Sequence, residues 1–128
     1  MISEDEIQPG LVLHLNPDEL QRLGGTFTGP QDKRVKSGHF FLCLKRTDDT
    51  GVWVPLFFNP GSGRQPVSSA GRSGHPKWTE GTFHWHEYQI WTAPHSGVIE
   101  AAEAGGDLST PGARNSLAIE QLPDVDVR

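Results

Sequence analysis

Five consecutive apolar residues, 40–44, follow His39 in the run HFFLCLKR (39–46). Side chains on a strand alternate between its two faces, so this run is apolar on both. A strand of that kind belongs at the centre of a sheet. Asp48-Asp49-Thr50-Gly51 then offers a turn, and GVWVPLFF (51–58) is a second apolar strand. Residues 39–58 therefore read as an antiparallel hairpin. Pro55 lacks a ladder donor, which predicts that the second strand lies at an edge or is bulged around it.

The remaining segments fit round that hairpin. GLVLHL (10–15) reads as a first strand. Asn16 can cap a helix of about two turns, with Pro17 in its first turn, Asp18 and Glu19 at the positive end of its dipole, and Gly24 or Gly25 as its stop. Residues 24–38 have no periodicity and hold Lys33, Arg34 and Lys36, so a mobile basic loop is expected there. A second irregular stretch, 59–74, carries Arg64 and Arg72. Residues 82–92 read as one strand. Pro94-His95-Ser96 begins a short helix that Gly105-Gly106 would stop, followed by a loop over 107–113. Residues 115–122 are helix or strand, and the tail 123–128 is expected to fray. The sum is a single domain over 1–128, mostly β, in the form of a small SH3-like β-barrel with two or three short helices.

Several function classes drop out. No window approaches the roughly 18 apolar residues of a membrane helix. The acidic start MISEDEIQPG has no apolar core and does not read as a secretory signal. Cys43 is the only cysteine, so no internal disulfide forms and a cytoplasmic location is expected. Ser62 in GSGRQ does not sit in a GxSxG turn, and no GK[ST] follows the glycines. The net charge of −5 is unevenly spread: residues 30–90 carry eight bases against five acids, while both ends are acidic. A basic, aromatic middle between acidic ends suits a polyanion-binding face.

The densest stretch of that middle is GTFHWHEYQIW (81–91). On a continuous strand His84, His86, Tyr88 and Ile90 share one face, and Phe83, Trp85, Glu87, Gln89 and Trp91 the other. Two histidines about 7 Å apart along a strand make half of a zinc site. Glu87 faces away. The cupin HxH pattern expects a glutamate where Ile90 and Trp91 stand. No resident metal or other cofactor is therefore expected. The two other readings are an ordinary strand face of intermediate polarity, and a ligand contact in which imidazoles and aromatic rings meet a base or a phosphate.

The layout of residues 9–60 resembles the MazF/PemK-type toxin superfamily. The matching features are Pro9-Gly10-Leu11-Val12 opening the first strand, the polar and basic loop 24–38, the strand HFFLCL directly after it, and the step Val54-Pro55-Leu56. That resemblance implies an SH3-like barrel, RNA cleavage, a homodimer and an antitoxin or other protein partner. The family's Arg-Pro at the loop end is Gly38-His39 here, and its Ser or Thr after the Val-Pro strand is Phe57, so its catalytic positions are not carried over.

From the residues alone, RNA cleavage by a 2′-hydroxyl needs a base, an acid and a cation. Histidine serves both proton roles because its ordinary pKa is about 6.5. The catalytic candidates are His39, His84, His86 and Arg64, and the candidates for contact with RNA or another polyanion are Lys33, Arg34, Lys36 and Tyr88. Trp85 is left to the core. The expected function is a toxin-like, nucleic-acid-facing module, possible as a metal-independent endoribonuclease. The alternatives are a non-catalytic protein-interaction domain with an aromatic surface of Trp53, Trp78, Trp85 and Trp91, and a cupin-like metal enzyme.

Overall fold

A computed structural model describes residues 2–104 and 114–123. The chain forms β1 (Leu11–Leu15), α1 (Pro17–Arg22), β2 (Thr26–Phe27), β3 (His39–Arg46), β4 (Thr50–Pro55), β5 (Gln65–Pro66) and β6 (Arg72–Ser73). It continues with α2 (Pro76–Thr79), β7 (His84–Trp85), β8 (Trp91–Pro94), α3 (His95–Ala104) and β9 (Asn115–Leu117). Short 3-10 turns lie at Glu4–Glu6, Gln31–Lys33 and Ile119–Gln121. No helix among the described residues is long and apolar enough to cross a membrane.

The fold is mostly β, as expected. Seven antiparallel strands form one sheet in the order β2-β8-β4-β3-β1-β9-β6, and β5 and β7 form a second, two-stranded sheet. β3 is the middle strand, where a run apolar on both faces belongs. The large sheet is open. Its outer strands β2 and β6 are two residues long and pair only with β8 and β9, so the expected closure into an SH3-like barrel is not made by these strands.

Both faces of the sheet are covered, which accounts for the pattern of β1 and β3. Leu11, Leu13, Leu15, Phe41, Cys43, Trp53 and Trp91 pack on one face with Leu20 of α1 and Val98, Ala101 and Ala102 of α3. Val12, Leu42, Leu44 and Val54 pack on the other face with Val67, Trp78, Phe83, Trp85 and Leu117. All four tryptophans are core residues, 8% exposed at Trp85 and 0% at the other three. The tryptophan surface expected for a protein-interaction domain is thus absent, because the two-sided sheet needs that volume inside. Cys43 is buried too, and burial pushes its thiol up to about 12, which leaves it unreactive.

The helix α1 follows its punctuation. Asn16 accepts from the backbone N–H groups of Asp18 and Glu19, and Gly24 beyond the helix has φ +102°. Other expectations need correction. β4 is interior, between β3 and β8. Leu56 donates its N–H to Phe40 on the β3 side, so the nitrogen of Pro55 faces β8, past the last pair Trp53–Trp91, where no donor is needed. The bulge sits in β3 instead, between Cys43 and Lys45.

The single strand over 82–92 is two strands, β7 and β8, with a turn between them. His86 makes the break: its Nδ1 accepts the N–H of Tyr88 at 3.2 Å, taking that donor out of any ladder. The loop 24–38, expected to be mobile, contains β2 and a 3-10 turn. Buried Val35 donates its N–H to Gln89 Oε1 at 3.3 Å, and Gln89 Nε2 donates to Lys33 O at 2.9 Å. The final helix starts at His95, and 115–122 divides into β9 and a 3-10 turn. The helix stop at Gly105-Gly106, the loop 107–113 and the tail beyond Pro123 lie outside the described residues.

Candidate functional site

Three loops meet beside the end of β4. The first is the 24–38 segment, anchored by Val35 and Gln89. The second is the glycine-rich connection from Phe57 to β5. The third is the turn that His86 creates. Between them lies a partly open cavity of about 440 Å³, within the roughly 300–1,000 Å³ of small-ligand sites. Lys33, Phe57, Ser62, Arg64, His86 and Tyr88 line it, and Gln89 is also part of its wall. No acidic side chain among the described residues does.

Phe57 organises the site. Its backbone pairs with His84, giving and receiving hydrogen bonds of 2.8 and 2.7 Å. The Arg64 guanidinium lies over its ring with Cζ 4.0 Å from the centroid. The His86 imidazole stacks on it at 5.0 Å between centroids and 14° between planes. His39 meets it edge-on at 5.6 Å. A guanidinium held on an aromatic face keeps its hydrogen-bonding edge available. Arg64 Nη1 donates to Asn59 O at 3.0 Å, and its Nε and Nη2 have no partner among the described residues.

His86 is set by two contacts. Because its Nδ1 accepts from Tyr88 N, the proton of the neutral ring is on Nε2. Burial, and then the neighbouring Arg64 cation, hold its pKa below the ordinary 6.5. His86 is therefore a neutral N–H donor near neutral pH. Tyr88 is 66% exposed and packs its ring against Gly63, where an added Cβ would come within 2.4 Å of Tyr88 Cε2. Gly63 has φ +77°, so glycine is needed there on both counts.

Of the eight residues singled out from the sequence, Arg64, His86, Lys33 and Tyr88 line the cavity. His39 touches Phe57 but does not line it, and its Nδ1 donates to Ser37 O at 2.6 Å. His84 is held beside Phe57 through its backbone, and its Nδ1 is buried without a partner among the described residues. Arg34 is diverted, with its guanidinium on the Asp18 carboxylate and on Gln21 Oε1. Lys36 is exposed and outside the cavity. His84 and His86 do not share a strand face, since β7 ends at Trp85. No cluster of three or more His, Cys, Asp or Glu among the described residues is placed to hold a metal ion, so the cupin-like alternative has no ligand set there.

The residues that sequence reasoning passed over are Phe57, Ser62 and Gln89. Phe57 was legible only as the end of an apolar strand and as a departure from the toxin family's Ser or Thr. The one available signal was its position, an aromatic residue where a strand runs into the glycine-rich Asn59-Pro60-Gly61-Ser62-Gly63. No protein-family model, curated protein or solved structure matches the chain.

Proposed function

We propose that the protein is a nucleic-acid-facing module that binds single-stranded RNA at the Phe57 cavity. The observation that carries this is the Arg64 guanidinium, over the Phe57 ring with its Nε and Nη2 edge uncommitted, in a cavity lined by no acidic side chain among the described residues. That edge is a fork for phosphate oxygens. Lys33 adds a second cation, and exposed Tyr88 gives a base a ring to stack on. The reading keeps the toxin likeness as its framework. The pairs β1–β3 and β3–β4 are compatible with an SH3-like module, although the large sheet is open. A cytoplasmic location, a homodimer and an antitoxin-like partner belong to the same proposal.

Fluorescence anisotropy with labelled single-stranded RNA tests it. Affinity weaker than about micromolar at physiological salt is expected from the acidic ends, rising as salt falls. Arg64→Met and Tyr88→Ala should each weaken binding without unfolding the chain. Absence of retention at low salt sinks the reading.

A second reading, cleavage of that RNA, is favoured by one observation. His39 donates from Nδ1 to Ser37 O, so its neutral ring keeps a lone pair on Nε2. His86 accepts at Nδ1 and keeps a proton on Nε2. Both touch Phe57, and an acceptor and a donor are the two proton roles of 2′-hydroxyl attack. Cleavage abolished by His39→Ala and by a 2′-deoxy substrate, with binding kept, is the expected result. Intact RNA after incubation with wild type removes it.

A further inference from the structure

Basic side chains over residues 30–90 suggest a track for a polyanion, but contacts engage three of the eight. Arg34 is bound to Asp18 and Gln21. Arg72 is turned inward onto backbone carbonyls of Val67, Ser68, Trp78 and Gly81. Arg46 donates to the carbonyls of Glu4 and Ile7. Lys45, like Lys36 and Lys77, is exposed outside the cavity. Among the described residues the cavity wall is left with two cations, Arg64 and Lys33. Two cations in one cavity wall match one doubly charged group better than a row of singly charged diesters.

The other polar atoms of the cavity narrow the ligand further. Gln89 Oε1 already accepts from Val35 N and from Trp91 Nε1, and its Nε2 donates to Lys33 O. Thr28 Oγ1 donates to Tyr88 O and accepts from Ile90 N. The Gln89 amide and the Thr28 hydroxyl, which could read the edge of a base, are thus engaged by the protein itself. What remains uncommitted is the Arg64 Nε–Nη2 edge, the Lys33 ammonium, His86 Nε2–H and the Ser62 hydroxyl. All of these can donate, and none is a carboxylate. Such a set receives an oxyanion and has little with which to tell one base from another.

We infer that the cavity's ligand is a nucleotide carrying a terminal phosphomonoester, with the phosphate in the Arg64–Lys33 fork and the base stacked, unread, on Tyr88. A phosphomonoester carries a charge of about −1.5 to −2 near neutral pH, against one for a diester. Neutral His86 adds a donor without adding repulsion to the two cations. The inference rests on the nucleic-acid reading above and deepens it. The same chemistry occurs in a phosphorylated RNA end and in a free nucleoside monophosphate.

The test is calorimetric titration of the intact protein with seven probes. They are a nucleoside monophosphate, the matching nucleoside, inorganic phosphate, a nucleoside monophosphate with a different base, and one short single-stranded RNA bearing a phosphate at its 5′ end, at its 3′ end or at neither. Phosphorylated probes should bind at least roughly tenfold tighter than their unphosphorylated counterparts, as a charge-assisted fork implies. The two monophosphates should bind within about threefold of each other, since stacking tolerates any base. For the phosphorylated RNA the slope of log affinity against log salt should be near −1, whereas a track of four phosphates gives roughly −3 at about −0.7 per phosphate.

Arg64→Met should erase the advantage of the phosphate, and Arg64→Lys should restore part of it. Arg34→Met should leave it unchanged. A far-ultraviolet spectrum and a melting curve of each variant establish that it is folded.

RNA that binds equally well with and without a terminal phosphate overturns the inference while leaving the RNA reading standing. A monophosphate that binds while no RNA does keeps the inference with a free nucleotide as its source, and the RNA reading falls. Failure of every probe removes both.

Discussion

Arg64 and Arg72 lie in the same irregular stretch, and each sits over aromatic rings. Arg64 Cζ is 4.0 Å from the Phe57 centroid, and Arg72 Cζ is 4.6 Å from that of Trp78 and 5.3 Å from that of Phe83. They differ in what their donors do. Arg72 gives its donors to four backbone carbonyls of the segment 67–81. Arg64 gives one hydrogen bond to Asn59 O. The same residue type on the same kind of platform is a staple in one place and an open fork in the other. The count of engaged donors, not the charge, distinguishes a structural arginine from one available to a ligand.

The largest expected effect tests the staple. Burial lowers the Arg72 pKa, but four carbonyl acceptors keep the cation in place. Removing it strands those carbonyls under Trp78 and Phe83. Arg72→Met should cost about 3 kcal/mol, since bonds to a charged group contribute roughly 1.5–3 kcal/mol and the orphaned acceptors add a penalty. Denaturant titration reads this directly. A loss below about 1 kcal/mol would mean that water replaces the guanidinium and that the staple is nominal.

The mirror experiment is Arg64→Met. With one hydrogen bond and one ring contact at a partly exposed position, its stability should change by less than about 1 kcal/mol. Its affinity for a phosphate-bearing ligand should fall at least roughly tenfold, which is about 1.4 kcal/mol. If Arg64→Met unfolds the chain and Arg72→Met abolishes binding, the two arginines have exchanged roles and the comparison fails.

This difference was invisible in the sequence, and the reason is physical. Strand and helix signals are local: β3 is apolar on both faces, and Asn16 meets the first turn of α1. Both were legible for that reason. The fate of an arginine depends on carbonyls and carboxylates far along the chain. Arg34 finds Asp18, 16 residues away, and Arg72 finds Gly81 O, nine residues on. Four of the eight named candidates meet at the cavity because they lie on the three loops that converge there. His84 and His86 were misjudged as a pair because a side chain, His86 Nδ1, claimed a backbone donor and ended the strand between them. Phe57 was overlooked because an apolar residue at a strand end looks like core, and nothing local shows that an arginine and two histidines converge on it.

A third arginine extends the scale. Arg114 pairs with Glu6, its Nε 2.6 Å from Oε2, tying the N-terminal 3-10 turn to the segment before β9. The Arg114 hydrogen bond, followed by the backbone N–H of Ser3, lowers the Glu6 pKa from 4.5 to about 2. A depressed carboxylate stabilises the fold above its unfolded pKa, and the stabilisation fades as pH falls toward its folded value. Glu6→Gln should therefore cost about 1 kcal/mol near neutral pH, after allowance for solvent screening of a partly buried pair. The difference from wild type should shrink between pH 4.5 and about 2. Denaturant titrations over that range check it. A gap that stays constant with pH would mean that the effect does not come from the charge of Glu6.

The smallest effect returns to the open fork, through the histidine stacked beside it. Burial and then Arg64 lower the His86 pKa below 6.5, so the fold favours the neutral ring. The unfolded chain takes up a proton as pH falls through 6.5, while the folded chain resists until its own lower pKa. Stability contributed by the neutral ring is thus fully present above 6.5 and declines below it. His86 is partly exposed, so the decline should be on the order of half a kcal/mol. His86→Gln should flatten it, and Arg64→Met should halve it or less, because burial is the larger cause and survives that change. The ring resonances of His86, followed by NMR against pH, give the same information without unfolding. The wild-type titration should lie below 6.5 and move up in Arg64→Met. An unchanged midpoint would mean that solvent already screens the guanidinium from the imidazole, and that Arg64 faces the open cavity more fully than its contact with Phe57 implies.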